Sequence, residues 1–408
     1  MEIPLGAAAD RAPRDGGRAV GPRVKRPHLP QVDVLRILPM LAVVGVHATM
    51  FTQPANAVGA DAVLVLLHLS RFAFFFITAF VLFYGCGSDQ IATWSFWRRR
   101  VPPILLPYVA WTLIYWQFNR LLPWGGYAPT VEGALLQLGH DLVVGWYQLY
   151  FLLVTLQLYL AFPLLVWLVR RTREHHLLLL SVSAALELAW LVVVQYRWHS
   201  LPPLGQLLSS GSQWLLPFYQ FFVVAGAVAA AHRDELTHWL RDYRRTLLLI
   251  SLTLLASGLA LYAFDLRLGQ TPAQAAMVFQ PSTVSVFLGG MLALGLLAQH
   301  LTDTREHTGR LWRFIRWASE ISFGFFLAHM IALQFFCLPE VQRALGLDRL
   351  STPLDGLSTW TLGVLGTVAL VSVLRNLPFS SVLTGRPRRP RHPRLPVVLG
   401  PPPQAQAS

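Results

Sequence analysis

Apolar residues along the chain fall into long blocks separated by short polar breaks, most of which carry arginines. A bilayer core about 30 Å thick takes about 20 mainly apolar residues per helix. Ten stretches of that length can be read: residues 32–52, 62–84, 103–122, 146–169, 176–195, 212–231, 246–265, 277–299, 315–338 and 357–377. The longest gap inside this series, 123–145, reads as a short loop, so no soluble domain fits between the spans. Residues 1–31 and 378–408 are rich in Pro, Arg and Gly and are expected to be disordered tails. No internal repeat is evident. The pattern predicts an all-α, polytopic membrane helix bundle of about ten transmembrane helices, with one membrane domain over 32–377.

Composition agrees. Of 408 residues 54% are hydrophobic and 13% charged, with a mean hydropathy of +0.48. Soluble domains carry about 25% charged residues, so an ordinary soluble enzyme is excluded. The 28 prolines and 29 glycines are too dispersed for a fibrous chain. The net charge of +13 is a topology signal. With sides assigned alternately from an inner N-terminus, 26 Lys and Arg fall inside and five outside, and Arg36 and Arg71 lie within spans. Cytoplasmic segments retain positive charge, so both termini are expected in the cytoplasm, with the chain in the cell membrane and no nucleic-acid partner. The N-terminus does not read as a cleavable signal: its basic region is too long, and the span after it carries Asp33, Arg36 and His47. Cys86 and Cys337 fall near opposite faces, too far apart to pair, and supply neither a disulfide framework nor a metal cluster.

An ionisable group within a span is a functional candidate by default. In the first span, eleven residues separate Arg36 from His47. That brings both to within about 20° on one helix face, about 16 Å apart along the axis. Asp33 lies within about 60° of the same line, at the same rim as Arg36, while His47 is deep. Asp33 and Arg36 read either as a rim ion pair or as part of a site, and Pro39 between Arg36 and His47 should loosen the helix. In the second span Arg71 and Thr78 are seven residues apart and face one way. Arg71 can neutralise Asp61 or Glu187, or hold an anionic substrate group. Glu187, at mid-depth in the fifth span, is a candidate partner for either arginine. His329 in the ninth span lies at a depth similar to His47, so the two histidines can meet across the bundle interior. Arg98, Arg99 and Arg100 at the mouth of the third span anchor topology or grip phosphates through charge-assisted hydrogen bonds. Trp124, Trp146, Tyr147 and Tyr150 cluster at the outer face, where the default is an interfacial belt and stacking on a sugar ring is the alternative.

The sequence contains no phosphate-binding glycine loop, paired-histidine metal signature or nucleophile elbow. The order Asp33-x-x-Arg36-x10-His47, then Phe74-Phe-Phe-Ile-Thr-Ala-Phe80, the arginine cluster and Pro107-Tyr108 resembles acyltransferase family 3, integral-membrane O-acyltransferases of about ten spans. Trp146-Tyr-Gln-Leu-Tyr-Phe with Pro163, and Ile321-Ser-Phe-Gly-Phe-Phe-Leu-Ala-His329, are similar to further segments of that family. The likeness runs over roughly residues 30–377. This chain has Thr78-Ala79-Phe80 where Ser-Gly-Phe is common, and Phe323 and Phe326 where tyrosines are common.

The resemblance implies transfer of an acyl group, acetyl by preference, from cytoplasmic acyl-CoA to a hydroxyl of a carbohydrate, lipid or envelope acceptor. No permanently bound cofactor is expected; acyl-CoA is a co-substrate. Arg36, Arg98, Arg99 and Arg100 would hold its phosphates, and the pantetheine arm would span a gap like that from Arg36 to His47. His47 would then act as general base or transient acyl carrier, with Asp33 orienting Arg36 and with Arg71, Thr78, Glu187, His329 and Trp146 as substrate or supporting residues. The rival reading is an exporter of a glycan or lipid whose pathway these same buried groups line.

Overall fold

Every regular element is helical in the computed structural model, which describes residues 27–86, 92–122, 130–197, 212–304 and 307–388. In chain order the helices are α1 (Pro30–Thr52), α2 (Val58–Leu67), α3 (Leu69–Cys86), α4 (Thr93–Arg100), α5 (Pro102–Arg120), α6 (Val131–Val144), α7 (Tyr150–Arg171), α8 (His176–Arg197) and α9 (Gln220–Ala231). They continue with α10 (Arg233–Asp242), α11 (Arg244–Arg267), α12 (Pro272–Ala275), α13 (Ser282–Thr304), α14 (Arg310–Phe336), α15 (Pro339–Leu345), α16 (Thr352–Leu374) and α17 (Ser380–Thr384).

Among the described residues, eight segments are long and apolar enough to cross a bilayer: Pro30–Thr52, Val58–Cys86, Val131–Arg171, His176–Tyr196, Arg244–Arg267, Ser282–Thr304, Arg310–Phe336 and Thr352–Leu374. Two of the ten expected stretches fall below that measure. One is α5, 19 residues with Pro107 inside and Arg120 in its last turn. The other is the shorter apolar segment Leu216–Ala231, in which Leu216–Tyr219 is a 3-10 turn holding Pro217 and only α9 is α-helical. Irregular backbone at membrane depth is tolerated where protein surrounds it. α9 satisfies this, since eight of its 12 residues are buried. Its crossing with α3 is so close that a Cβ on Gly226 would stand 2.2 Å from the Phe76 carbonyl oxygen.

The second span runs over Val58–Cys86 with one turn residue at His68, whose imidazole Nε2 lies 3.1 Å from the Ala276 carbonyl. Two expectations are corrected. The gap 123–145 is not merely a loop. Its described part forms α6, which Thr130 caps by accepting from the Gly133 N–H at 3.1 Å and which Tyr108 and Trp116 of α5 bind through backbone carbonyls. The C-terminal segment is ordered past residue 377: α17 packs beneath α5, α14 and α16, with Ser380 and Thr384 buried and the Trp111 Nε1–H donating to Leu383 O at 3.0 Å. Short polar side chains that satisfy one another let this segment dock where composition suggested a tail. The remainder of the expected tails, 1–26 and 389–408, lies outside the described residues, as does Trp124.

α14 is the most enclosed span, and α1 packs against it, against α16 and against α3. Two apolar clusters meet along its flank. One is built by Phe72, Phe75, Tyr219, Phe222 and Phe287; the other by Val44, Trp111, Tyr115, Phe325, Leu327 and Met330. The buried polar groups of α1, α3 and α14 lie along that seam. Cys86 and Cys337 form no disulfide among the described residues.

Candidate active site

His47 of α1 and His329 of α14 stack face to face, ring centroids 5.4 Å apart and planes 29° from parallel. His329 is fully buried and its Nδ1 lies 2.6 Å from the Phe326 carbonyl oxygen. A carbonyl only accepts, so Nδ1 carries the hydrogen and the neutral ring presents Nε2 as a bare lone pair. That Nε2, and Nδ1 of His47, are buried with no hydrogen-bond partner. His329 Nε2 is thus a free acceptor, and His47 Nδ1 is a second one in the tautomer that carries its hydrogen on Nε2. The α14 backbone is held from the far side, where the Tyr115 hydroxyl donates to Leu327 O at 2.6 Å.

A third ring stands against His47. Tyr147 lies 5.4 Å from His47, and Trp146 stacks on Tyr115 at 4.7 Å and touches Tyr147 at 5.0 Å. The backbone between α6 and α7 turns through Gly145 (φ 81) and Tyr147 (φ 45). At Gly145 a Cβ would meet Tyr150 N at 2.4 Å. A tyrosine in the left-handed region costs about 1–2 kcal/mol, and that strain sets its ring against the histidine. Tyr147 and Trp146 pack in line with His47, and Tyr150 turns inward to Arg71.

About 16 Å along α1 from His47, Arg36 has Asp33, Tyr159 and Arg386 in electrostatic range, and Tyr159 in turn faces Arg100. All three arginines of α4 are exposed, and Arg100 is the one within electrostatic range of Tyr159. Arg386 is a residue that sequence reading missed, having been assigned to the tail; α17 and the left-handed Gly385 carry it back. Asp33 does not pair with Arg36. Its Oδ1 accepts from Ser319 Oγ at 2.7 Å and its Oδ2 stands 3.2 Å from His28 Nε2, so it ties α1 to α14.

Arg71, near the start of α3, has Tyr150 and Phe279 rings 4.7 and 5.9 Å from its guanidinium carbon. No ion pair among the described residues joins it to Asp61 or Glu187. Of the two readings of Arg71, the ion pair is not formed: Glu187 Oε2 accepts from Gln220 Nε2 and from the Phe221 N–H at the positive end of α9, and its Oε1 is buried without a partner. Thr78 is half-buried two turns along from Arg71. Phe74 between them packs edge-on to Phe326, so this face of α3 does look toward the histidines.

Residues 29–375 match the family model of the acyltransferase 3 family, described as an acyltransferase domain. The chain belongs to the acyltransferase 3 family. No curated protein and no solved structure matches it. As an acyltransferase 3 protein it is a multi-pass membrane enzyme that transfers acyl groups. The match ends eleven residues before Arg386, so the mouth of this acyltransferase includes a cation from outside the family domain.

Proposed function

We propose that the enzyme moves an acetyl group from acyl-CoA, entering at the Arg36 end, to a hydroxyl of a carbohydrate, lipid or envelope acceptor that reaches His47 from the opposite end. The observation that supports this most is the separation of two chemistries along one helix. Three arginines, Arg36, Arg100 and Arg386, gather at one end, suited to the phosphates of a nucleotide. Two unsatisfied imidazoles stand about 16 Å along the axis, a gap a pantetheine arm can bridge.

His47 removes the proton from the acceptor hydroxyl as its oxygen attacks the thioester carbonyl. The C–S bond breaks as the C–O bond forms, and the proton passes to the departing CoA sulfur. No net charge is left in the membrane interior. His329, its tautomer fixed by Phe326 O, holds the second acceptor nitrogen beside the transferred proton. The arginine distribution supports both termini in the cytoplasm, and in this reading the Arg36 end faces the compartment where acyl-CoA is made.

The test is incubation of the purified full chain with acetyl-labelled acetyl-CoA and cell-envelope extract. Label should move to an envelope molecule with CoA released one for one, and His47→Ala should stop it. Movement of an unlabelled glycan or lipid across vesicles with no acyl-CoA present, and no labelling, would establish an exporter instead.

A further inference from the structure

Arg71 is a buried cation that the account above leaves idle. Its Nη1 is shut from solvent and has no hydrogen-bond partner. Tyr150, Phe279 and Tyr219 surround it, which softens desolvation through ring faces and hydroxyls but cannot neutralise a guanidinium. No ion pair among the described residues joins it to the acids of neighbouring helices: Glu187 turns Oε2 to α9, and its Oε1, like Asp61 Oδ2, is buried without a partner. His47 lies in electrostatic range of Arg71. Beside His47, Tyr147 is 40% exposed, an aromatic residue open to a sugar from outside.

We propose that Arg71 is the subsite for an anionic group on the acceptor, which makes the acceptor an acidic sugar: Nη1 holds its carboxylate or phosphate while a hydroxyl of the same molecule stands at His47. This rests on the acyl-transfer reading. A guanidinium cannot shed its charge in the way a lysine does, so an unpaired one at membrane depth calls for an anion, and the acceptor is the reactant that approaches from this side. The thioester's own phosphates stay at Arg36.

The test is binding of glucuronic acid, glucose 6-phosphate and glucose to the full chain in nanodiscs, followed by tryptophan fluorescence, on wild type, Arg71→Gln, Arg71→Lys and the surface variant Arg343→Gln. One acidic probe should bind at least ten-fold tighter than glucose. Which of the two does so identifies carboxylate or phosphate. Arg71→Gln should erase that preference, Arg71→Lys should keep part of it, and Arg343→Gln should keep all of it. Equal binding of the three probes, no binding of any, or a preference that survives Arg71→Gln overturns the proposal. Acetyl transfer measured in the same preparation separates the two readings. Acid preference lost in Arg71→Gln, with no acetyl transfer to any acceptor, would spare the subsite and sink the acyl-transfer reading. Transfer slowed equally for neutral and acidic acceptors would make Arg71 a stabiliser of the reacting oxygen and would overturn the subsite.

Discussion

If His47 and His329 work as one unit, removing either should cost nearly as much as removing both. His47 has nothing fixing its ring but packing, whereas His329 is held at Nδ1 by Phe326 O at 2.6 Å and is fully buried. Loss of a general base lowers rate by about 10²–10⁴-fold, which is roughly 2.7–5.5 kcal/mol of barrier. His329→Gln keeps an amide that can still reach a carbonyl, so its stability should fall by no more than about 1–3 kcal/mol, the cost of an unsatisfied buried group. The assay is a double-mutant cycle on acetyl transfer, with thermal unfolding of each variant beside it. His47→Gln, His329→Gln and the double variant should all lie within about ten-fold of one another, since residues acting as a unit are strongly non-additive. Multiplying losses, with the double variant slower by the product of the single effects, would refute the paired-imidazole argument.

Other consequences follow from particular contacts. Gly226→Ala places a methyl against the Phe76 carbonyl at the α3–α9 crossing, so the unfolding temperature should drop by the equivalent of about 1–3 kcal/mol. Tyr147→Asn tolerates the positive φ better than tyrosine. It should unfold no earlier than wild type yet transfer acetyl at least ten-fold more slowly, separating strain from function. Ser319→Ala deprives Asp33 of its 2.7 Å donor; stability should fall by about 1–3 kcal/mol with the KM for acyl-CoA unchanged. Arg386→Gln and Arg100→Gln should each raise that KM by about ten-fold, a loss of roughly 1.4 kcal/mol, whereas Arg98→Gln should not, and KM values that rise alike in all three variants would contradict the assignment of the mouth.

The helical bundle and the alignment of Arg36 with His47 were legible because both follow from periodicity: a span declares itself by length, and eleven residues return to one helix face. The meeting of His47 with His329 was legible from depth, since both helices were assigned the same direction and the residues similar distances from their starts. What periodicity cannot carry is the partner of a buried charge. Asp33, Asp61 and Glu187 were read as counter-ions because they are acids at suitable depth, but hydrogen-bond donors nearer in space, Ser319, Gln220 and the Phe221 N–H, decide where two of them point. Tyr147 was legible only as an outer-face aromatic, belt or sugar-stacking, because its contact with His47 depends on a left-handed backbone angle for which tyrosine carries no signal. Arg386 was hidden by its neighbours, a Pro- and Arg-rich stretch whose composition says tail, whereas Ser380, Thr384 and Gly385 build a short docked turn just before it.

The most direct measurement is an experimental structure of the full chain with a non-transferable acetyl-CoA analogue. The nucleotide phosphates should lie against Arg36, Arg100 and Arg386, and the acetyl carbon should stand next to the His47 ring, with a continuous cavity between. An analogue bound elsewhere, or a wall of side chains separating the arginines from the two imidazoles, would contradict the account.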